Sequence, residues 1–480
     1  MTTSTTERTR LVSSASLRAD FALRLAELYG TEVPAYNTLV EVSREVNAEA
    51  AAARGEAAER LGSIDRVTAE RHGAIRVGSP RELARAARVF AGFGMHPVGF
   101  YDLRDASKSS VPVVSTAFRP IDADELARNP FRVFTSMLVA TDRRFFDAET
   151  QAQLEELIGS RTLFDEELLE LADAAARQQG LDAHDAQRFL QLATAAFELF
   201  TEPVDHDWYF RLEKISAVAA DIGGVPSTHI NHLTPRVLDI DALYERMEAR
   251  GITMIDEIQG SPDWDGPDVL LRQTSFKALA EERQFRHADG SVRSGSLRVR
   301  FGEVEQRGVA LTTAGRDLYD RMVAETDARL AAVPAGSTTR VDVARAVWQE
   351  HLPATDRELA AQGLAFYTYA VSDTTPNGAA PADETGSISL RALVEAGVLV
   401  PHPIVYEDFL PRSAAGIFQS NLTDDGTRDD EELGTPYDLD KLSQVIGHPI
   451  ADPTQLYAAQ QQASLDAAAR TLGLRTITVH

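Results

Sequence analysis

The chain has 480 residues, a formal net charge of −25 and no cysteine. Without cysteine there can be no disulfide, thiolate zinc site, iron–sulfur cluster or cysteine nucleophile, so any metal must rest on histidine and carboxylate. The acidic balance repels phosphate, which argues against nucleic acid and anionic membrane surfaces as partners, and no apolar run is long enough for a membrane span.

Met1 to Arg8 is polar and lacks the apolar stretch of a signal peptide, so residues 1–13 are expected to be a disordered tail and the location cytoplasmic. Leu17, Phe21, Leu25 and Leu28 recur at helical spacing, with Gly30 as a stop, and a second helix is expected over 36–52. Arg71 to Val77 reads as a strand. Ser79-Pro80 then starts a helix, with serine as N-cap and proline at the first helical position. That helix ends near Gly92, and His96 before Pro97 reads as a turn residue. Strands follow over 98–102 and 111–118, giving a β-α-β-β pattern.

Residues 149–223 keep a helical period throughout and read as a large helical insertion. Strand signals return at Thr228-His229-Ile230-Asn231-His232, and again over 270–276 and 297–305, the last expected to be central. Helices are expected over 313–331, 341–363 and 455–472. Residues 371–388 read as a polar loop, 406–421 as a strand and turn, and 424–432 as a solvated acidic run.

The histidine segment stands out because the chain has only eleven histidines. Residues three apart on a strand point to opposite faces. One of His229 and His232 should therefore face a site while the other supports the strand from behind. Spacing leaves open which. His72 with Arg76, His232 with Arg236, and Glu303 and Glu305 with Arg307 each combine a metal-type ligand with a nearby cation. Two histidines and a carboxylate from separate strands are the ligand set of a non-haem Fe(II) oxygenase, which leaves positions open for a chelating substrate and O2. The arginines suit an anionic substrate. Glu303 and Glu305 share a strand face, so spacing does not choose between them. His184, His206, His287, His351, His402, His448 and His480 read as ordinary structural or surface residues. Ser115 and Ser413 lack convincing partners for a hydrolase triad.

Several longer blocks closely resemble the 2-oxoadipate dioxygenase/decarboxylase (hydroxyglutarate synthase) family. They are Glu70-Arg71-His72-Gly73-Ala74-Ile75-Arg76, Met95 to Leu103, Ser115-Thr116-Ala117-Phe118-Arg119, His229 to Arg236, Leu271 to Lys277, Phe301 to Gly308 and Val405 to Leu410. The likeness runs in order from about residue 15 to beyond 460. It implies an α+β, vicinal-oxygen-chelate-like fold. In that fold β-α-β-β-β units form a curved sheet around a metal site, with large helical insertions, in one domain over residues 1–480. It also implies an Fe(II) enzyme of lysine catabolism that turns 2-oxoadipate and O2 into 2-hydroxyglutarate and CO2. Carried over by position, the metal ligands fall on His72, His232 and Glu303, and substrate contacts fall on Arg76 and Ser413. His229 is then left on the other side as support. Two positions depart from the family pattern. Arg412, beside Ser413, stands where valine is usual and would add a charge at the substrate. Val114 stands where histidine is frequent. Both bear on the identity of the 2-oxo acid.

Overall fold

The computed structural model describes residues 11–105, 111–278, 280–298, 300–334, 336–372, 387–411, 426–429 and 432–479. Helix α1 covers Ser14–Glu32 and α2 covers Pro34–Arg54. Gly30 does not stop α1. Its missing side chain lets α2 approach, where Asn37 donates to the Gly30 carbonyl at 2.9 Å. Val12 and Ser13, expected to lie in a disordered tail, instead pair with Leu181 and Gly180. Residues 1–10 lie outside the described residues.

Strand β1 is Arg71–Val77 and α3 is Pro80–Gly92, with the Ser79 side chain capping the Glu82 N–H. Strand β2, His96–Asp102, already includes His96, which pairs with Arg119 rather than sitting in a turn. Strands β3, Val113–Arg119, and β4, Arg132–Leu138, follow. The pattern reading missed β4. It is buried on both faces and so shows no alternation of apolar and polar residues. Five helices fill most of 148–223, as the periodicity required. Strand β5, His232–Pro235, completes a five-stranded sheet in the order β2-β3-β4-β1-β5. β1 runs parallel to β4 and antiparallel to β5. The register slip between Val98 and Tyr101 is made possible by Gly99, whose φ of +75° suits glycine.

Strand β6, Leu271–Phe276, pairs antiparallel with β7, Gly302–Arg307. The expected continuous strand over 297–305 is in fact broken. Val292–Leu297 belongs to a hairpin with Glu281–Arg286, and Arg300 between the pieces is buried against Glu281 and Glu32. β7 is not central to its sheet. It lies at one edge, bridged to the first sheet by the Arg236–Glu305 pair and by Val237 N–H donating to the Glu305 carbonyl at 2.8 Å. The expected helix over 341–363 is two, Arg340–His351 and Asp356–Ala361, separated by a short non-helical link that includes Pro353. The C-terminal helix runs Pro453–Leu472. Of the expected polar loop and the 406–421 segment, residues 373–386 and 412–421 lie outside the described residues. Among the described residues, no helix is long and apolar enough to cross a membrane.

The protein is α+β. The two faces of the five-stranded sheet differ in what they bury. Ile75, Val77, Val114, Phe118, Val133, Met137 and Leu233 pack with the helices α1, α2 and α3 in one core. Ala74, Ala117, Phe134 and Leu138 pack in a second core with Phe301 and Phe409. Strand alternation therefore places His72, Arg76 and His232 on the second face.

Candidate metal centre

His72 and Ala74 lie on adjacent outward positions of β1, opposite Thr234 and His232 of β5. The two rings meet edge to face with centroids 5.3 Å apart. Glu303 reaches in from β7. Its Oε1 is 3.3 Å from His72 Nε2, and its Oε2 is 3.7 Å from His232 Nε2. All three side chains are buried, and one ligand atom from each lies within 4.8 Å of the others. Two imidazole nitrogens and one carboxylate thus converge on a single point, a donor set that suits a divalent transition metal. Two other His–carboxylate groups exist among the described residues, Asp182–His184–Asp185 and Glu325–Glu350–His351. They lie at the surface, where Asp182 is a helix cap and His351 pairs with Glu325.

The electrostatics fit ligands. Burial, helped by His72 and Arg76, pushes the His232 pKa well down, so its imidazole is neutral and able to donate. Burial raises Glu303 against the opposing pull of His72. At His72 burial acts downward, but the Glu305 and Glu303 carboxylates outweigh it and raise the pKa. Burial alone would raise Glu305, yet Arg307 and His72 hold it at about 2.

The surroundings include Gln273, Phe301, Phe409, Arg132 and Glu407, to which pattern reading assigned no role. Gln273 of β6 donates its amide to Glu303. Phe301 stacks on His232 with centroids 5.3 Å apart, and Phe409 meets His72 edge to face at 5.0 Å. Behind them lies a buried ionic network. Arg132 pairs with Glu70 at 2.7 Å and with Glu407, Arg236 pairs with Glu70 at 2.8 Å, and Arg66 pairs with Glu407. Arg119 grips Asp408 through two bonds of 2.9 and 3.1 Å. These contacts anchor the 407–409 segment and so place Phe409 on His72. Arg236 and Arg307, read in the sequence as cations suited to an anionic substrate, are instead buried on carboxylates of the protein, Arg236 on Glu70 and Arg307 on Glu305.

Arg76 sits one alternate position beyond Ala74 and pairs with Asp221. Asn231 donates to the same Asp221 at 2.9 Å and lies 3.1 Å from His229 Nε2. His229 is therefore not a support behind a strand. The regular strand begins only at His232, so the two-residue period does not govern residue 229, whose ring joins the Arg76–Asp221 cluster. Val114 faces the helix-covered core, on the opposite side of the sheet from His72. Its departure from the family pattern does not touch the metal cluster. Arg412 and Ser413 lie outside the described residues.

A stability consequence follows from Glu305 and Glu407. Burial would raise Glu407 too, but Arg66 and Arg132 hold it at about 2. An unfolded glutamate titrates near ~4.3. Both carboxylates therefore contribute stability that is full above that value and lost as pH falls towards 2. Urea midpoints measured from pH 7 to pH 2.5 should hold steady to about pH 5 and fall steeply below about pH 4. Glu407→Gln should show a shallower fall.

Fold and site together define an α+β protein with a buried two-histidine, one-carboxylate cluster competent to hold a metal. The family model described as 2-oxoadipate dioxygenase/decarboxylase matches residues 21–421. The 2-oxoadipate dioxygenase/decarboxylase of Mycobacterium tuberculosis is 55% identical over 455 residues, covering 95% of this chain and 99% of that protein. The one from Pseudomonas putida is 41% identical over 470 residues, covering 96% and 98%. The crystal structure of the Pseudomonas putida hydroxyglutarate synthase in complex with 2-oxoadipate is similar with a TM-score of 0.80 at 38% identity, covering 97% of this chain and 99% of that one. The chain belongs to the 2-oxoadipate dioxygenase/decarboxylase family.

Proposed function

We propose that this protein is an Fe(II)-dependent 2-oxoadipate dioxygenase/decarboxylase with a vicinal-oxygen-chelate-like fold, acting in the cytoplasm. It converts 2-oxoadipate and O2 into 2-hydroxyglutarate and CO2. The observation that carries this reading is the convergence of His72, His232 and Glu303 at one buried point in a member of this family. These three residues would hold the iron, which when bound supplies O2 activation and a chelation point for a 2-oxo acid.

The chain's own residues orient the rest of the substrate. From the cluster, the sheet face runs through Ala74 and Phe134 to Arg76 and Ser136, which are paired in register. That order suits a molecule with a chelating head, a short methylene stem and a distal carboxylate. Small Ala74 and apolar Phe134 line the stem, and the Arg76 guanidinium takes the distal carboxylate. Asp221 fixes the position of that guanidinium. Arg412 and Ser413 add a charge and a hydroxyl at the substrate by analogy with the family pattern. The buried, aromatic surround excludes water, which strengthens each charge contact.

Measuring O2 uptake and CO2 release together with Fe(II) and 2-oxo acids of graded length tests the reading. Equal uptake and release, with 2-oxoadipate preferred, is the expected result. CO2 release without O2 uptake would reassign the chemistry to a non-oxidative lyase. Arg76→Gln should raise KM for 2-oxoadipate about 100-fold, as expected for losing one partner of a buried charge pair. It should change KM little for 2-oxohexanoate, which lacks the distal carboxylate. Equal effects on the two acids would remove Arg76 from that role.

A further inference from the structure

Glu303, Glu305 and Arg307 occupy alternate positions of β7 and share one face. Glu303 faces Nε2 of His72, while Glu305 Oε2 lies 2.9 Å from Nδ1 of the same ring. Arg307 holds Glu305 with two bonds, Nε to Oε1 at 2.7 Å and Nη2 to Oε2 at 2.8 Å. Arg307 is fixed in turn, donating Nη1 to the carbonyls of Tyr406 at 2.7 Å and Asp408 at 3.1 Å. Glu305 and Arg307 are both buried. His232 has a different, neutral support, with Nδ1 3.0 Å from the Thr234 hydroxyl.

We infer that Glu305 is the positioning residue of His72, with Arg307 as its clamp. This rests on the metal reading above. The carboxylate charge 2.9 Å from Nδ1 favours the tautomer with the proton there, which leaves Nε2, the nitrogen facing Glu303, as the metal donor. A carboxylate in this place also makes the imidazole a stronger ligand. His232 receives orientation from Thr234 without that added basicity. One strand thus supplies a ligand, an orienting carboxylate and its clamp at successive outward positions.

The test uses the full chain stripped of metal and titrated anaerobically with Co(II). Affinity is read by calorimetry and site geometry by the visible cobalt spectrum. The double variant Glu305→Gln/Arg307→Met removes both charges, so no buried charge is left unpaired. It should bind Co(II) about 10- to 100-fold more weakly, with an altered cobalt spectrum. A role confined to the ion pair with Arg307 would move the melting temperature and leave cobalt affinity unchanged. Affinity within twofold of wild type in a folded double variant overturns the inference. Glu305→Asp serves if the double variant does not fold. It keeps the charge but withdraws the carboxylate from Nδ1, so it must also weaken cobalt binding, and unchanged affinity there overturns the inference equally. A wild-type chain that binds no Co(II) would overturn the metal reading itself, and this inference with it.

Discussion

His232→Ala will lose turnover of 2-oxoadipate by about a thousandfold or more, because a bound metal stabilises the transition state by several kcal/mol. It will also lose tight metal binding. The imidazole is buried, stacked on Phe301 and neutral, and its Nε2 points at Glu303. Replacement leaves His72 and Glu303 as a two-point site. His72→Ala and Glu303→Ala should behave alike, and the losses should not add, since each alone breaks the same unit. Metal content after dialysis and initial rates with added Fe(II) check this together. Turnover that survives with metal still bound would show that the ligands lie elsewhere.

Arg132→Met will destabilise the fold by about 3–5 kcal/mol, the usual cost of leaving buried charge uncompensated. Arg132 is completely buried and joins Glu70 to Glu407, bringing β4, the segment before β1 and the 407–409 segment together. Its loss takes one cation from each of two buried carboxylates, leaving Arg236 on Glu70 and Arg66 on Glu407, so the interior carries one excess negative charge. Adding Glu407→Gln to Arg132→Met should recover part of the loss, because the excess negative charge is then removed. Chemical denaturation of the three proteins at pH 7 reads both effects. A loss under about 1 kcal/mol would place the network among solvated ion pairs. The same substitution should lower activity as well, since the network sets Phe409 against His72.

Much of the local structure was legible because short-range rules govern it. Ser79-Pro80 marked the start of α3, and the helical period over 149–223 marked a stretch that folds largely as helices. Failures came where a strand or break is decided by distant partners. β4 carries no alternation because the sheet buries it on both faces. The 297–305 run looked continuous, yet Arg300 turns inward to Glu32, which is 268 residues away along the chain. Gly30 looked like a stop but serves the approach of Asn37.

The site shows the same division. Local residue chemistry and alternation marked His72, the 229–236 segment and the Glu303–Glu305–Arg307 face as charged or ligating residues on strands. The resemblance of the ordered blocks pointed to the family. Spacing could not say which histidine meets which carboxylate, and the choice of His72, His232 and Glu303 rested on the resemblance alone. The pairing depends on the register of β1 against β5 and on the Arg236–Glu305 bridge that swings β7 beside them. Register is a non-local quantity, set by packing on both sheet faces. Only in the folded chain does Glu303 lie between two imidazoles, Glu305 behind one of them, and His229 beside Asp221 in the Arg76 cluster.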